Sequence, residues 1–274
     1  MTALDLDARR LFKLRLHNVL ARVGLGGGHP VAVRPEGGHF VVSCDGHEIA
    51  MASATRWRLY RRGWDARMAR LSHQFGVGSP IGIGPGDTVI DIGANVGEFT
   101  LAQAARGARV FAIEGDPAVF DCLRLNTAGN PAITPVQALI WKEEADLTFY
   151  SAPRQSDSSV FRPTSGETLR ELRLPATTLD RLAERLGIDG VTLLKCDAEG
   201  AEPEVIEGGR ALLARTRHVA FDTGPERMGQ ETSQEVERLL TALGFTVRHE
   251  TRHKRKITFG DRAGPGGTLT CPTC

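Results

Sequence analysis

The spacing of apolar positions changes three times along this chain. Leu4, Leu6, Leu11, Leu14, Leu16 and Leu20 recur at near-helical intervals up to Val23, and a glycine-rich break follows at 24–28. Between residues 30 and 53 the period drops to two. Val31 and Val33, Phe40 and Val42, and Ile49 and Met51 alternate with polar residues, and Gly37-Gly38 and Asp45-Gly46 separate the pairs. That pattern predicts a three-stranded meander. Residues 55–75 read as a helix dense in Arg and Trp, and 76–86 as a glycine-rich linker.

From Asp87 the pattern changes again. Short β-branched runs at 88–92, 109–114, 133–137, 191–196 and 218–222 alternate with helical stretches at 117–128, 179–186, 201–214 and 231–243. Such alternation predicts an α/β fold with a doubly wound, mostly parallel sheet covered on both faces. Residues 146–150 read as a strand in an edge insertion, 153–173 as a polar loop, and 245–249 and 256–259 as two closing strands, the last antiparallel. Three regions are expected: an N-terminal helix, meander and Arg/Trp segment (1–85), a core domain (86–260) and a loose tail (261–274).

Composition narrows the function only by exclusion. The chain has 274 residues, 34 Lys and Arg against 33 Asp and Glu, and a net charge of +1. No global charge favours nucleic acid. No apolar run reaches the roughly 18 residues of a spanning helix, and the N-terminus lacks a basic and apolar leader. The five cysteines are sparse and odd in number, which fits a reducing, cytoplasmic setting. Cys271 and Cys274 form a lone CxxC pair in the tail, too few ligands for zinc, and no metal is expected.

The chemistry concentrates at two places. Asp91, Gly93, Asn95 and Gly97 follow the first core strand, and Glu114 ends the next. In a doubly wound sheet an acid at that position meets a ribose diol. The Gly-x-x-x-Gly spacing is wrong for a dinucleotide pyrophosphate, and Asp91 would repel one but attract an ammonium. A cationic, phosphate-free nucleoside such as S-adenosylmethionine fits better than NAD. The second place is Asp197 and Glu199, just beyond the strand at 191–196, where the ligand crevice of such folds lies. Glu202 and Glu204 are explained by the helix dipole. The arginines at 56–70 are read as a solvated helix face in preference to a face toward an anionic ligand, and the basic run at 252–256 as a hairpin turn in preference to a site for a phosphate-bearing acceptor or RNA.

The stretch Val89-Ile-Asp-Ile-Gly-Ala-Asn-Val-Gly97 resembles the first motif of the FkbM family of S-adenosylmethionine-dependent methyltransferases. Thr178-Leu-Asp180 with Leu194-Lys-Cys-Asp-Ala-Glu-Gly-Ala-Glu202 resembles its second. The resemblance implies a class I methyltransferase fold with seven strands, and methylation of hydroxyl groups on natural products, sugars or lipids. It places Asp91, Gly93, Ala94, Asn95, Gly97, Glu114, Gly115, Asp116, Ala138 and Asp197 at the cofactor. Asp197 is expected near the transferred methyl, as base or acceptor-orienting group, supported by Glu199. Ser158, Ser159 and Asp222 are expected toward the acceptor, and residues 157–159 are read as a segment able to close over the site. Two departures stand out: Glu114-Gly-Asp-Pro117 where the family often has Glu-Pro, and Asp222 where it often has Glu. The partner expected is a small molecule, with a homodimer allowed. N-methylation and a non-catalytic S-adenosylmethionine-binding scaffold are the alternative readings.

Overall fold

The computed structural model describes residues 6–25, 27–152, 158–162 and 169–262. The CxxC pair and Asp157 therefore lie outside the described residues. Helix α1 (Ala8–Arg22) starts at Asp7, whose carboxylate accepts from the Arg10 amide. Strands β1 (Ala32–Glu36), β2 (His39–Cys44) and β3 (His47–Met51) form the expected antiparallel meander. The helix expected over 55–75 is two pieces, a short 3-10 helix at Ala54–Tyr60 and α2 (Trp64–Gln74).

The core follows as β4 (Thr88–Ile92), α3 (Glu98–Ala104), β5 (Arg109–Glu114), α4 (Pro117–Thr127) and β6 (Ile133–Gln137). A side sheet comprises β7 (Leu139–Ile140), β8 (Ala145–Ser151) and β9 (Arg170–Thr177). Then come α5 (Leu179–Leu186), β10 (Val191–Cys196), α6 (Glu202–Glu207), α7 (Arg210–Leu213), β11 (Thr216–Asp222), α8 (Ser233–Ala242), β12 (Thr246–Arg252) and β13 (Arg255–Asp261). The principal sheet has seven strands in the order β12-β13-β11-β10-β4-β5-β6. The run from β11 to β6 is parallel, and β13 pairs antiparallel with both β11 and β12. This is the class I methyltransferase arrangement. The chain direction across the sheet reverses between β4 and β10, the switch point outside which ligands bind in open α/β sheets.

Two clusters bury the two faces of the sheet: one around Ile90, Leu194, Val205 and Phe221, the other around Val89, Phe99, Leu193 and Phe259. Neighbouring residues such as Leu193 and Leu194 go to opposite faces, which is why these strands are apolar without alternation. Phe75, Val77 and Ile81 belong to the second cluster, so the glycine-rich stretch expected as a linker folds onto the core. The meander is stitched on by Asn126 of α4. Its side chain exchanges hydrogen bonds with both backbone groups of Ala50 and donates to the Val96 carbonyl at 2.8 Å.

The stretch expected as a polar loop at 153–173 ends in a strand. β9 begins at Arg170 and pairs with β8 from there to Ala176. Among the described residues no helix is long and apolar enough to cross a membrane.

Candidate active site

The carboxyl ends of β4, β5 and β10 open into a cavity of about 470 Å³, a size suited to a nucleoside-sized ligand. Its floor is the turn after β4. Gly93 sits at φ 66°, and a Cβ there would fall 1.9 Å from the carbonyl oxygen of Asp197. Only glycine lets the loops after β4 and β10 approach this closely. Asn95 is left-handed at φ 53°, as an Asn tolerates, and its amide donates to Glu114 at 2.8 Å. Gly97, at φ 93°, starts α3 and packs toward Leu123 of α4. It shapes the turn from behind and does not line the cavity.

Glu114 lines the cavity as expected. One carboxylate oxygen accepts from the Asn95 amide and the other from the Asp116 amide, each at 2.8 Å. Each oxygen keeps a second lone pair. Burial lifts this carboxyl to about 7, and Asp116 adds to the lift while the two amides oppose it. Gly115, Ala94 and Ala138 complete the wall beside it. Asp116 stands behind that wall and is fully buried. It caps α4 through the Ala118 amide and accepts from the hydroxyls of Ser151 and Ser158.

Asp91 also sits beneath the cavity wall. It is fully buried, accepts from the Thr100 hydroxyl at 2.6 Å and pairs with Lys195 Nζ at 2.9 Å. The ammonium this acid holds is thus the chain's own. The cause is register: Asp91 and Lys195 are direct partners across β4 and β10. Lys195 in turn donates to the carbonyls of Ile92, at 3.0 Å, and Gly93, at 2.7 Å, so it clamps the turn from which the cavity is built. Burial pushes its ammonium down, but Asp91 and Asp197 outweigh that and keep it charged.

At the end of β10, Asp197 and Glu199 line the cavity. The Asp197 amide donates to the Ile92 carbonyl, and its Oδ1 is buried without a hydrogen-bond partner among the described residues. Carboxylate oxygens of Asp197, Asp222 and Glu226 lie within 4.8 Å of one another. Arg255 sits among them, paired with Asp222 at 3.2 Å and with Glu226. Asp222 itself is fully buried and does not line the cavity. Burial and the neighbouring Asp197 raise it to about 6.

Ser158 and Ser159 both line the cavity, yet their hydroxyls are directed at the protein. Ser158 donates to Asp116 at 2.7 Å and Ser159 to the Glu199 carbonyl at 2.8 Å. Together they strap the wall beside Glu114 to the loop after β10. Glu202, expected only as a dipole partner, is fully buried and takes the amides of Ala198 and Gly200 and the Thr232 hydroxyl. It holds the shape of the Asp197 loop.

The arginines of 56–70 divide. Arg58, Arg61 and Arg62 are exposed, as a solvated face requires. Arg67 instead reaches the cavity and forms a bidentate pair with buried Glu98 at 2.6 and 2.8 Å. Arg56 approaches Glu98 at 4.0 Å and the Tyr60 hydroxyl donates to it at 2.6 Å. Burial alone would raise Glu98, but Arg67 holds it at about 2. These long-range partners carried no motif of their own. Lys195 lies inside the second motif, but its pairing with Asp91 was signalled only by a lysine within an otherwise buried strand.

Comparison with known proteins shows the family. Residues 91–247 match the methyltransferase FkbM domain. The chain belongs to the FkbM methyltransferase family. It is 32% identical over 198 residues to the 31-O-demethyl-FK506 methyltransferase FkbM of Streptomyces tacrolimicus, covering 60% of this chain and 74% of that one. It is 28% identical over 193 residues to methyltransferase sdnD of Sordaria araneosa, covering 58% and 73%. Among solved structures, Aeropyrum pernix fibrillarin with bound S-adenosyl-L-methionine superposes with a TM-score of 0.45 at 13% identity, covering 84% of this chain and 98% of that one. This FkbM-family chain is an S-adenosylmethionine-dependent methyltransferase. The residues present suit that cofactor: Glu114 offers free lone pairs to a diol, and Asp197 lines the same cavity.

Proposed function

We propose that this methyltransferase transfers the methyl group to a hydroxyl oxygen of a small organic acceptor, with Asp197 as the base. The observation that carries this reading is Asp197, an acid that lines the cavity beyond the end of β10 and whose buried Oδ1 has no hydrogen-bond partner among the described residues. Bound S-adenosylmethionine supplies a methyl group on a sulfonium, already attached to a good leaving group. The protein's work is then orientation and removal of one proton. Glu114 would hold the ribose hydroxyls on the two lone pairs its backbone partners leave. Gly93, Ala94 and Asn95 would present the floor, held flat by Lys195. Asp197 would accept the acceptor's proton, and Arg255 offsets part of the charge shared with Asp222 and Glu226. The 31-O-demethyl-FK506 methyltransferase, at 32% identity, is named for an oxygen acceptor, which supports oxygen over nitrogen.

Incubation with methyl-labelled S-adenosylmethionine and a panel of polyols, macrolide alcohols and primary amines tests the reading. Labelled methyl ethers are expected. Labelled N-methyl products would favour the amine reading, and tight cofactor binding without any transfer would favour the scaffold.

A further inference from the structure

On the wall of the cavity away from Glu114 most cations are held in ion pairs, and two are not. Lys195 has Asp91, Arg67 has Glu98, and Arg255 has Asp222 and Glu226. Arg70 and Lys254 also line the cavity. Among the described residues neither has an ion pair or a side-chain hydrogen bond.

Their placement is built rather than incidental. Arg70 lies on α2, three residues before His73, and so on the same helix face. The α2 end abuts the β12–β13 turn: His73 Nδ1 and His253 Nε2 are 3.3 Å apart, and Arg252 donates to the His73 carbonyl at 2.6 Å. The turn residues His253 and Lys254 both have positive φ, 51° and 71°. Two-residue hairpin turns of this kind ordinarily take Asn-Gly. A His-Lys pair held there instead is an outlier of the sort found at ligand sites. Other charges facing the turn are mostly positive: Arg252 is committed to Glu250, and His253 is held below its usual range by burial, then by Arg70, His73 and Arg252. The acids that face it, Asp197 and Glu199, lie on the loop after β10 and interact with Arg255.

The order of strands says which ligand meets these cations. Across the sheet Glu114 ends β5, Asp197 follows β10, and the Lys254 turn joins β12 and β13. With the ribose at Glu114 and the base at Asp197, the turn lies on the far side of the base, where the acceptor must enter. We propose that Arg70 and Lys254 form an anion subsite for the methyl acceptor, which therefore carries a carboxylate or phosphate besides its nucleophilic oxygen. This rests on the cofactor reading above.

Calorimetry on the full chain tests it. S-adenosylhomocysteine is titrated into the wild type, R70A, K254A and the double variant. Inorganic phosphate and benzoate are then titrated separately into each loaded protein. Both side chains are exposed and unpartnered, so the variants should fold. The expected result is little change in S-adenosylhomocysteine affinity, with one of the two anions binding the loaded wild type at least ~10-fold more tightly than the double variant. Preference for phosphate marks a phosphorylated acceptor, and preference for benzoate a carboxylated one. Equal anion binding by wild type and double variant overturns the proposal, as does no anion binding at all. A ~10-fold loss of S-adenosylhomocysteine affinity in the variants also overturns it, because the cations would then serve the cofactor's own carboxylate. Failure of the wild type to bind S-adenosylhomocysteine strikes the cofactor reading itself, whereas cofactor binding without anion binding strikes only the subsite.

Discussion

Asp197→Asn is expected to lower turnover by about 10²–10⁴-fold, the usual contribution of a positioned base, while leaving S-adenosylhomocysteine affinity nearly unchanged. The position of residue 197 is set by its backbone, since its amide continues the β4–β10 ladder to the Ile92 carbonyl at 3.1 Å. Asn has the same shape, and Oδ1 makes no hydrogen bond that the exchange would break. What disappears is the capacity to take a proton. A second readout separates this from a structural effect. The Asp197 charge helps to raise Asp222 to about 6, so the Asn variant should lower Asp222, a shift that an NMR titration of its carboxyl reads directly. Full turnover with unchanged cofactor affinity would remove Asp197 from the role of base. A small loss with an amine acceptor would point to nitrogen chemistry, which needs little help from a base.

Lys195→Met is expected to cost about 3–5 kcal/mol of stability, the penalty for leaving a buried charge without its partner. Asp91 has no solvent exposure and keeps only the Thr100 hydroxyl once the ammonium is gone. The carbonyls of Ile92 and Gly93 lose their donor at the same time. Met suits the space against the Phe75 ring, over which the ammonium now lies at 5.2 Å. Adding Asp91→Asn to the variant removes the orphaned charge, so the double variant should recover most of the loss. Urea denaturation of the two singles and the double measures the coupling. If Lys195→Met unfolds within ~1 kcal/mol of the wild type, a typical surface-like effect, the clamp is not what holds this turn.

The features legible in the sequence were those written locally. β5, β6, β10 and α5 appear with the boundaries their apolar runs imply, and the Gly93-to-Gly97 turn appears with Glu114 one strand away. What escaped was written in contacts between distant segments. The helix read over 201–214 breaks into α6 and α7 because the chain at Gly208 presses against another element. A Cβ there would lie 2.2 Å from the Trp141 carbonyl. β9 reads as a polar loop because most of its residues are not buried and its pairing partner is the side-sheet strand β8. The Arg67–Glu98–Tyr60 cluster joins residues 31 and 38 positions apart, a distance no periodicity spans. Asp91 shows the same limit within the motif itself. Its position on the strand was legible, but its partner was decided by the register of β10.

The central claim is that the cofactor sits with its ribose on Glu114, and calorimetric titration of S-adenosylhomocysteine from pH 6 to 8.5 tests it most directly. Burial pushes the Glu114 carboxyl up to about 7. Ribose hydroxyls donate to the ionised carboxylate, so binding favours the deprotonated form. Affinity should therefore rise ~10-fold from pH 6 to 8 and level off above. Glu114→Gln should bind more weakly at pH 8 and show no such slope. Equal affinity and an equal slope in wild type and variant would contradict the account, because the ribose would then lie elsewhere.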